Sequence, residues 1–81
     1  METIGFVGAG NMAEALIKGV ITRHVYKPGR VFASDIRPER LEYLRDHYGV
    51  RTVESNAELA SNADIVVLSV KPQNMAEALD D

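Results

Sequence analysis

The chain has 81 residues, 46% hydrophobic and 26% charged, which allows one small domain and argues against an intrinsically disordered chain. Its net charge of −3 gives no electrostatic reason to bind nucleic acid or anionic lipid. Cysteine is absent, which excludes a disulfide scaffold, a thiolate zinc site and a thiol nucleophile, and a cytoplasmic location is expected.

Lys18 and Arg23 interrupt the longest apolar stretch, so no membrane span is expected. Met1-Glu2-Thr3 lacks the positive start of a secretory signal. Thr3-Ile4-Gly5-Phe6-Val7 is a short apolar run that stops at Gly8, the pattern of a buried strand. From Asn11 to about Thr22 the period becomes helical. Met12, Leu16 and Val20, with Ala13, Ile17 and Ile21 beside them, form a broad apolar stripe. Pro28-Gly29 marks a turn before a second strand, Val31-Phe32-Ala33-Ser34, which ends at Asp35. Pro38 opens a helix where its missing N–H costs nothing, Leu41, Leu44 and Tyr48 share the inner face, and Gly49 supplies a left-handed stop.

The second half repeats the alternation. Val50 to Val53 reads as a brief strand. Ser55-Asn56-Ala57-Glu58 has the spacing of a capping box and starts a short helix through about Ser61. Ile65 to Val70 is apolar, largely β-branched and without alternation, which predicts a parallel strand buried on both faces. Lys71-Pro72 ends it, and Gln73 to Leu79 restarts a helical pattern. Strands alternating with helices at this spacing make right-handed βαβ units. The expected fold is α/β, a partial Rossmann domain with a parallel sheet in the order 3-2-1-4 and helices on both faces.

Gly8-Ala9-Gly10-Asn11-Met12-Ala13 is a G-x-G-x-x-A sequence that follows a strand and opens a helix. An acidic residue, Asp35, lies 22 positions beyond Ala13. Together these form a dinucleotide-binding fingerprint. Gly8 permits the tight turn, Gly10 lets a pyrophosphate approach the backbone, and Ala13 allows close packing of helix on strand. The N–H groups at Asn11 and Met12 and the positive end of the helix then face the phosphates. A tight turn that binds nothing is the alternative reading of the same letters. At the end of the second strand, the Asp35 carboxylate suits a ribose diol, whereas Arg37 and Arg40 suit a 2′-phosphate, so the choice between NADP and NAD stays open. Arg40 reads first as a solvated helix-face residue.

Other polar residues carry less. His24 and His47 lie far apart with no carboxylate at ligand spacing, so no metal site is expected. Tyr26, Tyr43 and Tyr48 read as packing residues, and no residue reads as a catalytic acid. Lys71 follows the fourth strand, where it either faces the cofactor cleft or is simply a surface lysine.

The segment Ile4-Gly5-Phe6-Val7-Gly8-Ala9-Gly10-Asn11-Met12-Ala13-Glu14-Ala15-Leu16 closely resembles the opening of pyrroline-5-carboxylate reductases. Ala63-Asp64-Ile65-Val66-Val67-Leu68-Ser69-Val70-Lys71-Pro72 resembles their fourth-strand signature, and Tyr48-Gly49-Val50 before Ser55-Asn56 fits their spacing. The resemblance implies an enzyme of proline biosynthesis that transfers hydride from NADPH or NADH to the C=N bond of 1-pyrroline-5-carboxylate. It also implies a cofactor site made of Val7, Gly8, Ala9, Gly10, Asn11 and Met12, Asp35 with Arg37, Asn56, and Ser69, Val70, Lys71 and Pro72. Many relatives that prefer NADP carry a small polar residue where this chain has Asp35. Their chains are much longer and end in a helical domain that dimerises and builds the substrate pocket. Residues 1–81 are therefore expected to be a truncated N-terminal NAD(P)-binding segment, inactive alone, with Ile65 to Val70 as an exposed edge that makes a homo-oligomer. Three rival readings remain: a β-hydroxyacid dehydrogenase, an F420-dependent NADP reductase and a non-catalytic nucleotide-sensing module.

Overall fold

The computed structural model describes residues 2–69. Its elements alternate as expected: β1 (Ile4–Val7), α1 (Asn11–Thr22), β2 (Val31–Ser34), α2 (Pro38–Tyr48), β3 (Arg51–Thr52), α3 (Asn56–Asn62) and β4 (Ile65–Leu68). A single 3₁₀ turn, Pro28–Arg30, leads into β2. The four strands form one sheet in the order β3-β2-β1-β4. All described pairings are parallel; Ile4 of β1 stands opposite Val31 of β2 and Ile65 of β4. The observed order is the expected 3-2-1-4.

Because successive strand residues point to opposite faces, β1 feeds two cores. Ile4 and Phe6 pack with Ala13 and Ile17 of α1, Val31 and Ala33 of β2, and Leu44 of α2. Val7 packs on the other face with Phe32, Val53 and Leu59 of α3. Helices therefore cover both faces. Leu44 is fully buried, Leu41 and Tyr48 pack beside it, and Gly49 stops α2 at φ 72° with its N–H on the Arg45 carbonyl. The left-handed stop needs glycine because a Cβ crowds the backbone there. Ser55 caps α3, its hydroxyl accepting from the Glu58 N–H at 3.0 Å.

Three expectations are corrected. The buried face of α1 runs through Ala13 and Ile17, whereas Met12 and Leu16 are 54% and 43% exposed. The stripe is rotated by one residue: Ala13 and Ile17 pack against Ile4 and Phe6 of β1, with Val20 and Ile21 partly buried beside them. The third strand shrinks to Arg51–Thr52, with Val50 and Val53 buried just outside it. The fourth strand is not covered on both faces: Ile65, Val66 and Leu68 are about two-fifths exposed, since β4 is at the sheet edge with only β1 beside it among the described residues. Val70, Lys71, Pro72 and the expected last helix lie outside the described residues.

A packing requirement absent from the motif reading lies at Gly5. A Cβ there would stand 2.5 Å from Leu59 Cδ2, 2.8 Å from Leu59 Cγ and 3.0 Å from Ala63 Cβ. Gly5 is the bare patch on β1 that lets α3 approach the sheet.

Candidate functional site

The loop between β1 and α1 runs over the carboxyl ends of three neighbouring strands, where open α/β sheets bind ligands. Val7 ends β1, and Gly8 turns the chain at φ 101°, a left-handed value that favours glycine. The Gly8 N–H donates to the Ser34 carbonyl at the end of β2. On the other side, the Ser69 N–H donates to the Val7 carbonyl at 2.9 Å. The Ser69 hydroxyl is 2.8 Å from that carbonyl and 3.1 Å from the Gly8 carbonyl. Two buried serines thus anchor the loop to β2 and to the chain leaving β4.

Ala9 is fully buried, and its N–H donates to Asp35 Oδ2 at 2.7 Å. Gly10 follows as the N-cap of α1, in extended backbone, with no side chain capping the helix. A Cβ built on Gly10 would meet only the Arg37 Nη2, at an ordinary contact distance of 3.5 Å. Gly10 is therefore a cradle that the protein's own packing leaves unfilled, and Asn11 and Met12 beyond it are exposed. This open backbone, an uncapped helix N-terminus and a neighbouring guanidinium fit a pyrophosphate-containing ligand.

Asp35 and Arg37 are brought to the loop but act on each other. Asp35 Oδ1 accepts from the Arg37 N–H at 2.8 Å and from its Nε at 2.9 Å, while Oδ2 accepts from Nη2 at 3.0 Å. The Asp35 side chain is 6% exposed and that of Arg37 is 50% exposed. The carboxylate faces inward, and the cation faces the solvent beside Gly10. Burial pushes the Asp35 carboxyl up, but the Arg37 side chain and the Ala9 and Arg37 N–H groups outweigh it and hold the group below its ordinary value. Asn56, at the start of α3, joins from the other face, its Oδ1 accepting from the Ser34 hydroxyl. Among the described residues, every position expected from the sequence therefore converges on this strand end.

Sequence reasoning missed the group behind the loop. Arg40 is not a solvated helix-face residue: its Nε donates to the Ala9 carbonyl at 2.7 Å and its Nη2 to Glu14 Oε1 at 3.2 Å. Glu14 Oε2 accepts from the Tyr43 hydroxyl at 2.9 Å and the Tyr48 hydroxyl at 2.7 Å. These two hydroxyls, with help from Arg40, hold the Glu14 carboxyl below its usual range, and Tyr48 is in turn pushed up to about 12. The available signal was the spacing of Arg40, Tyr43 and Tyr48 along α2, which puts polar groups beside the buried Leu44. A groove of about 400 Å³ lined by Thr3, Lys27, Arg30, Phe32 and Arg51 lies at the opposite end of the sheet and plays no part here.

Comparison with known proteins agrees with this geometry. The chain is 40% identical over 81 residues to pyrroline-5-carboxylate reductase 2 of Bacillus subtilis, matching 99% of this chain and 29% of that protein. It is 46% identical over 72 residues to pyrroline-5-carboxylate reductase of Pseudomonas aeruginosa, matching 89% of this chain and 26% of the relative. Among solved structures, a pyrroline-5-carboxylate reductase from Coxiella burnetii superposes with a TM-score of 0.87 at 35% identity, over 95% of this chain and 28% of that one. A Plasmodium falciparum pyrroline carboxylate reductase with NADP bound superposes with a TM-score of 0.80 at 28% identity, over 98% of this chain and 28% of that one. The chain thus spans under a third of the length of the relatives it matches. No described helix is long and apolar enough to cross a membrane. Residues 3–81 match the family described as NADP oxidoreductase, coenzyme F420-dependent, and the chain belongs to that family.

Proposed function

We propose that this chain is the cofactor-binding part of a reductase that converts 1-pyrroline-5-carboxylate to L-proline with NADPH. The observation that carries the reading is the open Gly10 cradle beside the exposed Arg37 guanidinium. The names of the relatives support the substrate. A nicotinamide dinucleotide, when bound, supplies the hydride.

The chain's own residues hold and orient it. Val7, Gly8 and Ala9 set the turn, and Gly10 leaves room for the pyrophosphate. The helix start at Asn11 and Met12 offers N–H groups to it, and Arg37 offers a cation to a 2′-phosphate. Asp35 aims Arg37 and the Ala9 N–H rather than reading a ribose, which favours NADPH over NADH. Ile36, 89% exposed, gives the adenine an apolar surface next to Arg37. Asn56 and Ser69 border the cleft, and the family resemblance adds Val70, Lys71 and Pro72. By the family resemblance, the substrate pocket is built by a helical domain rather than by the residues of this cleft. The reading extends to a cytoplasmic location and, through the family resemblance, to a homo-oligomer.

The test is an assay of the full-length protein for NADPH consumption that depends on 1-pyrroline-5-carboxylate and yields L-proline. A second reading has one observation in its favour, the description of the matching family. Under it, the same cleft passes hydride between NADPH and coenzyme F420. Reduction of F420 with no turnover of the pyrroline would establish that reading and overturn ours.

A further inference from the structure

We infer that Arg40, held by Glu14 with Tyr43 and Tyr48, is a positioning residue that aims the Gly10 N–H at the pyrophosphate. The inference rests on the cofactor reading above and concerns residues that no dinucleotide fingerprint contains. Two successive peptide units make up the critical part of the loop. In the Gly8–Ala9 unit, the N–H is tied to Asp35 Oδ2 at 2.7 Å and the carbonyl is 3.1 Å from the Ser69 hydroxyl. In the Ala9–Gly10 unit, the carbonyl is tied to Arg40 Nε at 2.7 Å. A trans peptide is planar, with its C=O and N–H on opposite sides. Drawing the Ala9 carbonyl toward α2 therefore turns the Gly10 N–H away from α2, toward the side where Gly10 has no side chain.

The cation that does this has little freedom. Its Nη2 is fixed 3.2 Å from Glu14 Oε1, and its guanidinium carbon lies 4.8 Å from the centre of the Tyr43 ring. The other Glu14 oxygen is occupied by two tyrosine hydroxyls. Arg40 and Glu14 are each about one-fifth exposed at the side chain, so water competes only weakly for these bonds. A planar fork with two fixed acceptors keeps the loop peptide in one orientation before any ligand arrives, which lowers the ordering cost of binding.

The experiment uses the full-length protein, with calorimetric titration of three probes: NADPH, NADH and adenosine 2′-monophosphate, which has no pyrophosphate. Thermal unfolding of each variant is followed alongside. Arg40→Gln is expected to weaken NADPH and NADH by the same factor, about tenfold, as befits one lost charge-assisted bond. Binding of adenosine 2′-monophosphate should stay at the parent's level. Arg40→Lys should recover part of the loss, and Glu14→Gln should show the same pattern with a smaller effect. A merely structural role would lower the unfolding temperature and leave the folded protein's affinities alone. Folded Arg40→Gln that binds NADPH as tightly as the parent overturns the inference, as does an equal loss for all three probes. Should Arg40→Gln fail to fold, Glu14→Gln takes its place: selective loss of the two dinucleotides supports the inference, and unchanged or uniform binding overturns it. A parent that binds neither dinucleotide refutes the cofactor reading itself, a failure visible before any substitution is made.

Discussion

Gly5 and Leu59 are in contact across the interface between β1 and α3, and the contact exists only because Gly5 has no Cβ. Leu59 is fully buried in the cluster with Val7, Phe32 and Val53, so its branch cannot swing away from an added methyl group. Gly5→Ala should therefore destabilise the fold by about 1 to 3 kcal/mol, the usual cost of overpacking a filled core. Chemical denaturation of the two proteins measures this. A stability equal to or above the parent's would mean that α3 sits farther from the sheet than this contact requires.

The tyrosine cluster predicts an unusual alkaline titration. Bonding to the Glu14 carboxylate raises Tyr48 to about 12 and also raises Tyr43. A raised phenol contributes stability that is present below its unfolded value near 10 and is lost as the pH climbs through the folded value. Absorbance at the phenolate band should thus show ionisation delayed past the ordinary range. In Glu14→Gln the titration of Tyr48 should return toward 10. No change on that substitution would mean that the two hydroxyls do not share Glu14.

Acid should act on the other side of the loop. Asp35 is held below its ordinary value of 3.8, so its contribution to stability is present above that value and is lost as the pH falls through the folded one. Asp35→Asn keeps the shape but removes the charge that Ala9 and Arg37 share. The variant should be less stable than the parent at neutral pH, with the difference closing in strong acid. Parallel acid-unfolding curves for the two proteins would place the charge outside the loop's support.

Cofactor choice should follow Arg37 more than any other residue. Its exposed guanidinium is the cation next to the Gly10 cradle. Arg37→Ala should weaken NADPH relative to NADH by about tenfold, roughly 1.4 kcal/mol, the scale of one charge-assisted hydrogen bond at a half-exposed site. Competition between the two cofactors gives the ratio directly. If the ratio holds, the 2′-phosphate is read elsewhere.

Much of this fold is legible in the sequence because its signals are local. Gly49 stops α2, Pro38 starts it, and Ser55 with Glu58 starts α3, each through a bond or constraint within a few residues. The strand order also follows, since short parallel strands with helical crossovers leave few arrangements. What is not legible depends on partners distant in sequence. Arg40 meets Ala9 across 31 positions, and Tyr48 meets Glu14 across 34. Asp35 reads from its position alone as a candidate ribose acceptor, and its bond to the Ala9 N–H, 26 positions away, appears only in the fold. The exposure of β4 follows from its place at the edge, whereas its β-branched residues alone resemble those of an interior strand.

The central claim is that the loop from Gly8 to Met12 receives the pyrophosphate of a nicotinamide dinucleotide. Gly10→Val tests it most directly, because a Cβ there meets only one guanidinium atom of the protein, at ordinary contact distance, while the side chain enters the cradle. The change should cost about 1 kcal/mol or less of stability, the scale of an N-cap substitution. Calorimetric titration with NADPH should then show binding by the parent and none by the folded variant. Equal binding by the two proteins would contradict the account.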